Sequence, residues 1–545
     1  MKGYLTIKQE FLFRDSIQGE IPDSIRAVSA KNGKIGIQLL LSGERSVQLN
    51  LEDSSFNVEF YQMLEIPVEY NTGNGINQGG AMVIRADDCP EYAVRKAPFK
   101  VYDCLKPAMN GTIGLDSGLA AAYICISPKE GVKAGTYVLP LQINVDGEKK
   151  ICKIEYVVYP VVIHENDFQQ TNWFDLKSMA TMHKIEVGTD AFYDMVRSYA
   201  RAMRRTHQRV FCIWINEDFF KEKVKPPYRF HFDVLKPIIE IFFEEGFDTL
   251  ETGGILSRGY LPDGSRDMYT RDFKCAANPD ISADSDEGYA LLSAELCAFS
   301  HFLRENHWDQ KILFHVIDEP DVHYRTEDDL QARRTQYFMS SNLVRRYFPN
   351  AKTIEAVKTT KFHGAIDIMV PITDGYQNHK EAFDRAIALG DEIWTYVCCG
   401  PEGHWLNRFL DQPLVNGRLL FWGCAANRIS GYLHWGFNQF GCTPNPFHET
   451  RGINDCGIGT DFPCGDAFIV YPGADGPWLS MRLEAERRGA EEACLLSNLR
   501  ALSPERCDEL IHTVFHAFDD YDNDPQKVEE AYENLLKALS QDSVE

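Results

Sequence analysis

The chain has 545 residues, a length that calls for two or three domains rather than one core. A formal net charge of −24 argues against nucleic acid and anionic membrane as partners, since neither attracts an acidic surface. The rest of the composition is that of a soluble globular protein, with aromatics at 12%, enough to line a sugar cleft as well as to fill cores.

The first twenty residues, MKGYLTIKQEFLFRDSIQGE, contain no apolar h-region and no small-residue cleavage site. No apolar run anywhere approaches the roughly 20 residues that cross a bilayer. A cytoplasmic protein is the expectation. Fifteen cysteines, an odd number, are scattered mostly through predicted strands and helices, which suits reduced thiols better than a disulfide framework.

Residues 1–163 read as an N-terminal antiparallel β-sandwich. SVQLNLE, FNVEFYQML, AMVIRADD, GLAAAYICIS, TYVLPLQINV and KICKIEYVVY are short runs rich in Val, Ile and Tyr, separated by turn signals such as NTGNG and VDGEKK. The block gathers no cluster of His, Cys and acids, so it is expected to serve as a structural platform.

Residues 164–502 change texture, with apolar strands alternating with helical stretches. The predicted strands are TNWFDL (171–176), VFCIWIN (210–216), FDTLETGG (247–254), ILFHVID (312–318), TIEAVK (353–358), IDIMVP (366–371), EIWTYVCC (392–399) and ISGYLHW (429–435). Among the helices, Thr189 is placed to cap a segment whose apolar stripe runs through Phe192, Val196, Tyr199 and Met203. The connection after residue 358 is too short for a full helix. Eight such repeats predict a (β/α)8 TIM barrel, and no Gly-rich phosphate loop favours a doubly wound sheet instead. Residues 503–545, PERCDELIHTVFHAF and PQKVEEAYENLLKAL, are expected to form a C-terminal helical extension with solvated charged faces.

After the eighth strand comes a long loop carrying Cys442, His448, Cys456 and Cys464. Their spacing matches no zinc finger or ribbon, so an active-site loop is expected there, with no metal and no cofactor.

The fourth strand, KILFHVIDEP, ends in Asp318, Glu319 and Pro320. Barrel chemistry is built at the carboxyl ends of strands, and adjacent acids raise each other's proton affinity. Asp-Glu-Pro is also good helix-start chemistry. The position at a barrel rim favours catalysis, and glycoside hydrolysis uses paired carboxylates. A retaining enzyme with a protein nucleophile needs a second acid about 5–5.5 Å from the first, for which Glu402, Glu251 and Asp374 are candidates. In the alternative, the 2-acetamido group of the sugar is the nucleophile. One acid then protonates the leaving oxygen while the other orients the acetamido N–H, a division that suits neighbours. An ionised Asp318 would keep Glu319 protonated.

Several blocks resemble glycoside hydrolase family 123, the β-N-acetylgalactosaminidases. ISPKEGVKAGTYVLPLQINVDGEKKICKIEYVVY is similar to the family's sandwich domain, and FHVIDEP to its catalytic strand. IWTYVCCGP, GYLHWGFNQF and GDAFIVYPGADGPWLSMRLEAERRGAEEACLL resemble later barrel segments. The last departs from the family's Arg-Asp-Gly-x-Glu-Asp run, reading Arg487-Arg488-Gly489-Ala490-Glu491-Glu492, a matter of helix packing. The resemblance implies Asp318 as the acetamido-orienting residue and Glu319 as general acid and then base. Tyr396 is expected to donate to the acetamido oxygen, Trp435 to stack on the sugar and Asn438 to meet hydroxyls, with Trp214, Asn216 and Tyr471 as further pocket residues. His315 and His434, inside strands, are expected to be satisfied barrel-interior residues. The expected substrate is a glycan with a terminal β-linked 2-acetamido sugar, cleaved from its end. The alternatives are a retaining glycosidase with its own nucleophile and a non-catalytic sugar-binding relative. Nothing in the sequence marks an oligomeric state.

Overall fold

A computed structural model describes residues 1–74, 82–165, 168–454 and 461–542. The eight expected barrel strands are all present: β1 (Gln169–Asn172), β2 (Val210–Trp214), β3 (Thr249–Gly253), β4 (Ile312–His315), β5 (Lys352–Val357), β6 (Ile368–Pro371), β7 (Glu392–Tyr396) and β8 (Gly431–His434). They form one parallel sheet in the order β1-β8-β7-β6-β5-β4-β3-β2. Among the described residues no ladder joins β1 to β2. There Gln208 bridges the gap, its amide donating to Asn172 O (3.3 Å) and Val210 O (2.8 Å). Apolar side chains such as Val210, Ile354, Ile368, Val370 and Leu433 fill the cylinder, as a barrel of this size requires.

The helices follow from local signals. Asp190–Arg204 begins where Thr189 Oγ1 accepts the Phe192 N–H, and it buries Phe192, Val196, Tyr199 and Met203. Residues 358–367, between β5 and β6, hold no helix, as their number demands.

The N-terminal block is two facing sheets. One holds five strands, in the order Thr112–Ile113, Val47–Asn50, Gly135–Val145, Glu148–Val158, Ser24–Ser29; its last pairing is parallel. The other holds eight, and its central strand, Leu119–Pro128, is buried on both faces. Ala122, Ile124 and Ile126 point into the sandwich core, while Tyr123 and Cys125 point towards the barrel. That double burial explains the unbroken apolar run GLAAAYICIS.

Three expectations need correction. AMVIRADD contributes only Val83–Ile84, paired with Asn71–Thr72 in a small hairpin outside the sandwich. The hairpin Tyr471–Gly473 and Gly476–Ser480 leaves the barrel and extends the eight-stranded sheet, Leu479 and Ser480 pairing with Leu105 and Cys104. The C-terminal extension is not wholly helical, because Pro504–Ile511 is followed by a hairpin, Phe515–Ala517 with Asp520–Tyr521, before the last helix, Pro525–Asp542. Nor are its charges all solvated. Glu529 is buried and accepts from Arg418 (2.6 Å) and Arg488 (2.9 Å), while Arg418 also pairs with Glu492 (2.6 Å). These arginines and acids lie along or against Met481–Leu502, a helix buried around nearly its whole circumference between barrel and sandwich. A polar helix can be buried only if its charges are paired, and these are.

Candidate active site

Strand β4 ends at His315, and Val316 and Ile317 stay buried before the chain reaches Asp318. Both Asp318 and Glu319 open into one cavity of about 510 Å³ at the carboxyl mouth of the barrel. Consecutive side chains on a strand point to opposite faces, so this sharing needs a local distortion. Glu319 supplies it by taking φ = +50°, in the left-handed region. That conformation costs a non-glycine residue on the order of 1 kcal/mol, and Pro320 adds its own preference for an extended residue before it. Arg258 stabilises the turn. Its guanidinium donates to Asp318 O (3.2 Å) and Glu319 O (2.7 Å). Buried Arg333 holds the following segment through the carbonyls of Pro320 (3.4 Å), Val322 (2.8 Å) and His323 (3.1 Å).

Beneath the pair lies a buried charged network. His315 sits between Glu251 and Glu355, at 2.7 and 3.0 Å, so it is the satisfied interior residue its mid-strand position implied. Glu251 also accepts from Thr171 (2.5 Å) and from the Trp173 indole (2.8 Å). It is fully engaged and buried, and so unavailable as a nucleophile.

Asp318 is pushed up to about 7, chiefly by burial and then by the charges of Glu319 and Glu355, against the pull of His315 and Arg258. Its side chain is exposed to the cavity, but protein surrounds that cavity on most sides, and confined water screens less than bulk. The sequence predicts an ionised Asp318 beside a protonated Glu319; the surroundings of Asp318 instead raise its proton affinity.

Tyr396, at the end of β7, is buried and donates its hydroxyl to Glu319 Oε1 at 2.6 Å. Trp435, just past β8, lines the cavity and packs on Phe462, 5.2 Å between ring centroids. Asn438 is not on the cavity wall. Its amide is spent on Asp175, accepting that residue's N–H (2.8 Å) and donating to its carbonyl (3.0 Å), which ties the loops after β1 and β8 together. Trp214 and Asn216 also fall outside the lining. Trp214 packs edge-on against Trp173 at 4.7 Å, and Asn216 caps its own loop through the Asp218 N–H. Tyr471 lies in the interdomain hairpin, its buried hydroxyl on Asp103 Oδ2 (2.7 Å), and is not among the lining residues.

Other lining residues were not expected. Trp173 stands just beyond β1, where the same strand-end logic would have found it. Lys358 and His323 come from the mouths of β5 and β4; Asp374, one of the candidate second acids, joins them from the mouth of β6, where burial raises it and Lys358 opposes the rise. Asn74 and Met82 come from the N-terminal block, which therefore helps wall the cleft. Two Thr72 hydrogen bonds to Asp411, each 2.7 Å, fasten that hairpin to the barrel, and no local sequence signal foretold it.

The loop after β8 does reach the cavity through Cys442 and Phe462. Cys464 turns instead to Glu69, 3.2 Å away, and Cys456 lies outside the described residues. Among the described residues no group of three or more His, Cys, Asp or Glu gathers to hold a metal, and no helix is long and apolar enough to cross a membrane.

Comparison with known proteins agrees with the barrel fold. Among solved structures, the chain is similar to a family 123 glycoside hydrolase from Clostridium perfringens, described for glycolipid glycan hydrolysis. The TM-score is 0.72 with 14% identity, over 99% of both chains, which bears on the fold. An endo-β-1,4-mannanase from Thermotoga petrophila is a far looser likeness, with TM-score 0.36 and 12% identity over 61% of this chain and 77% of that one. No curated protein gives a match. The family model for the glycoside hydrolase 123 catalytic domain matches residues 173–499, and the chain belongs to that family of glycoside hydrolases.

Proposed function

We propose that the protein is an exo-acting, substrate-assisted, retaining β-N-acetylhexosaminidase that prefers N-acetylgalactosamine. The observation that carries this reading is that two acids adjacent in sequence open into the same cavity, with Glu319 turned to a positive φ. Neighbouring acids suit neighbouring points on one sugar, not the opposite faces that a protein nucleophile and an acid must occupy.

In this mechanism the acetamido carbonyl oxygen attacks the anomeric carbon. Asp318, as carboxylate, accepts the acetamido N–H and offsets the positive charge growing on the oxazolinium. Glu319 protonates the departing oxygen, then takes a proton from the water that opens the intermediate. Tyr396, whose hydroxyl donates to Glu319, is placed to donate to the acetamido oxygen of the substrate. Trp435 and Trp173 offer apolar faces to the ring. A walled cavity of about 510 Å³ suits one terminal sugar, which supports exo cleavage. A glycolipid glycan, of the kind named for the C. perfringens enzyme, is one source of such a sugar.

Of the acids that could serve a protein nucleophile, Asp374 and Glu402 line the cavity and Glu251 does not. A panel of aryl β-glycosides decides the matter. N-acetylgalactosaminide should turn over fastest, N-acetylglucosaminide more slowly, galactoside and glucoside hardly at all. Efficient galactoside hydrolysis, or a 2-fluoro sugar trapped on Asp374 or Glu402, would overturn the proposal.

A further inference from the structure

Cys398 and Cys399 are consecutive, yet their Sγ atoms are 3.8 Å apart and both residues line the cavity that holds Asp318 and Glu319. Successive side chains on a strand diverge, but β7 has ended at Tyr396 and the chain folds back here, the Cys398 N–H donating to Gly400 O at 2.8 Å. Val397 stays in the core, and the two thiols, each half-buried, turn together towards the cleft.

We propose that Cys398 and Cys399 form a two-thiol binding site for trivalent organic arsenic, and that its occupation closes the catalytic cleft from the β7 side. With an aryl arsenoxide, two arsenic–sulfur bonds form and the arsenic–oxygen bond breaks. The oxygen leaves as water with both thiol protons; arsenic stays trivalent, so no oxidant or reductant is consumed.

The geometry selects this ligand class over the usual ones. Soft sulfur donors match a soft centre. Zinc wants three or four protein ligands, and no group of three or more such donors gathers among the described residues. A disulfide would need the sulfurs drawn in to about 2.05 Å and an oxidant to take the electrons, whereas a bridging arsenic accepts sulfurs that remain apart. Simple alkylation is disfavoured because it needs a thiolate. The contact with Cys398, together with burial, holds Cys399 well above the ordinary thiol range. For Cys398 the same contact is the strongest influence and pulls down, but burial together with the charges of Asp466 and Glu319 leaves it raised. The second sulfur adds without a further association step, which gives a dithiol ligand its advantage over a one-thiol reagent. Cys398 and Cys399 line the same cavity as Tyr396 and Glu319, so an aryl group held at the thiols takes up space in front of the acid.

The test uses the full chain and phenylarsine oxide at one equivalent. Intact mass should show one phenylarsine adduct, thiol titration should fall by two, and peptide mapping should place the adduct on the segment carrying Cys398 and Cys399. Glycosidase activity should be lost, returning with 2,3-dimercaptopropanol but not with the same excess of 2-mercaptoethanol. Cys398→Ser and Cys399→Ser should each be less sensitive by about 10²-fold, while Cys89→Ser and Cys297→Ser, at exposed cysteines elsewhere, should respond as the parent does. An adduct on other cysteines, reversal by the monothiol, or parental sensitivity in both serine variants would overturn the proposal. If those variants fold poorly, the mapping on the parent chain decides alone. The mass and thiol readouts require no substrate, so they stand apart from the sugar specificity proposed above.

Discussion

His315 Nδ1 lies 3.0 Å from Glu355 Oε2, and the other oxygen of Glu355 accepts the N–H of Ile317, at 3.0 Å, just before Asp318 and Glu319. On its other side His315 meets Glu251. Burial works against a charge on this imidazole, but Glu355 and Glu251 outweigh it, and His315 is pushed up to about 10. His315 is therefore held as a cation near Asp318, between Glu355 and Glu251.

The first prediction concerns the acid limb of the pH–rate profile. In the proposed mechanism Asp318 acts as a carboxylate, and its proton affinity is raised to about 7, so kcat/KM should fall as pH drops below that value. Removing the cation with His315→Gln should move the limb to higher pH. Removing an anion with Glu355→Gln should move it to lower pH. An activated aryl substrate provides the measurement, and displacements in the same direction would contradict the charge argument.

A second prediction turns the same shift into stability. A carboxyl whose affinity rises on folding favours the native state least where it must be ionised, above about 7, and imposes no penalty below its ordinary 3.8. Asp318→Asn should therefore raise Tm, and raise it more at pH 8 than at pH 5. Thermal scans at the two pH values check the sign. For His315 the sign is opposite: its stabilisation is full below about 6.5 and fades as pH climbs towards 10.

The two acids separate by leaving group. Glu319→Gln should slow poor leaving groups far more than activated aryl ones, which need little protonation. Asp318→Asn should slow all of them alike, by about 10²–10³, the loss typical of one charge-stabilising contact in the transition state. Brønsted plots of both variants against aglycone pKa give the comparison; two equal slopes would contradict the division of roles.

Glu529→Ala should cost about 3–5 kcal/mol, because it strands Arg418 and Arg488 in a buried setting. Chemical denaturation measures the loss. A shift below 1 kcal/mol would mean that water reaches these arginines.

The barrel was legible because each strand carries its own signal, an apolar run ending near a turn. Asp318 and Glu319 were legible for the same reason, standing where ILFHVI stops. Strand Phe99–Pro107 was not. Its central Asp103 looks wrong for a buried strand, and it becomes acceptable only because Tyr471 and Arg482 (3.0 Å) arrive from far along the chain. Asn438 and Glu529 fail likewise: a polar residue near a strand end reads as a ligand contact, one on a terminal helix as solvated, and their partners Asp175 and Arg418 lie outside any local window. Short-range patterns reveal elements, while the pairing of buried polar groups is long-range information.

The hairpin of Tyr471–Gly473 and Gly476–Ser480 covers the edge of a sheet whose other six strands are all made before residue 130. During synthesis from the N-terminus, that sheet must wait with Phe99–Pro107 unpaired on one side while the whole barrel emerges. A gene fragment cut at residues 173–499 would carry the orphaned hairpin without its sheet, and one ending near residue 163 would carry the open edge. Either piece is expected to self-associate, so the two layers are inherited, and must be expressed, as one unit.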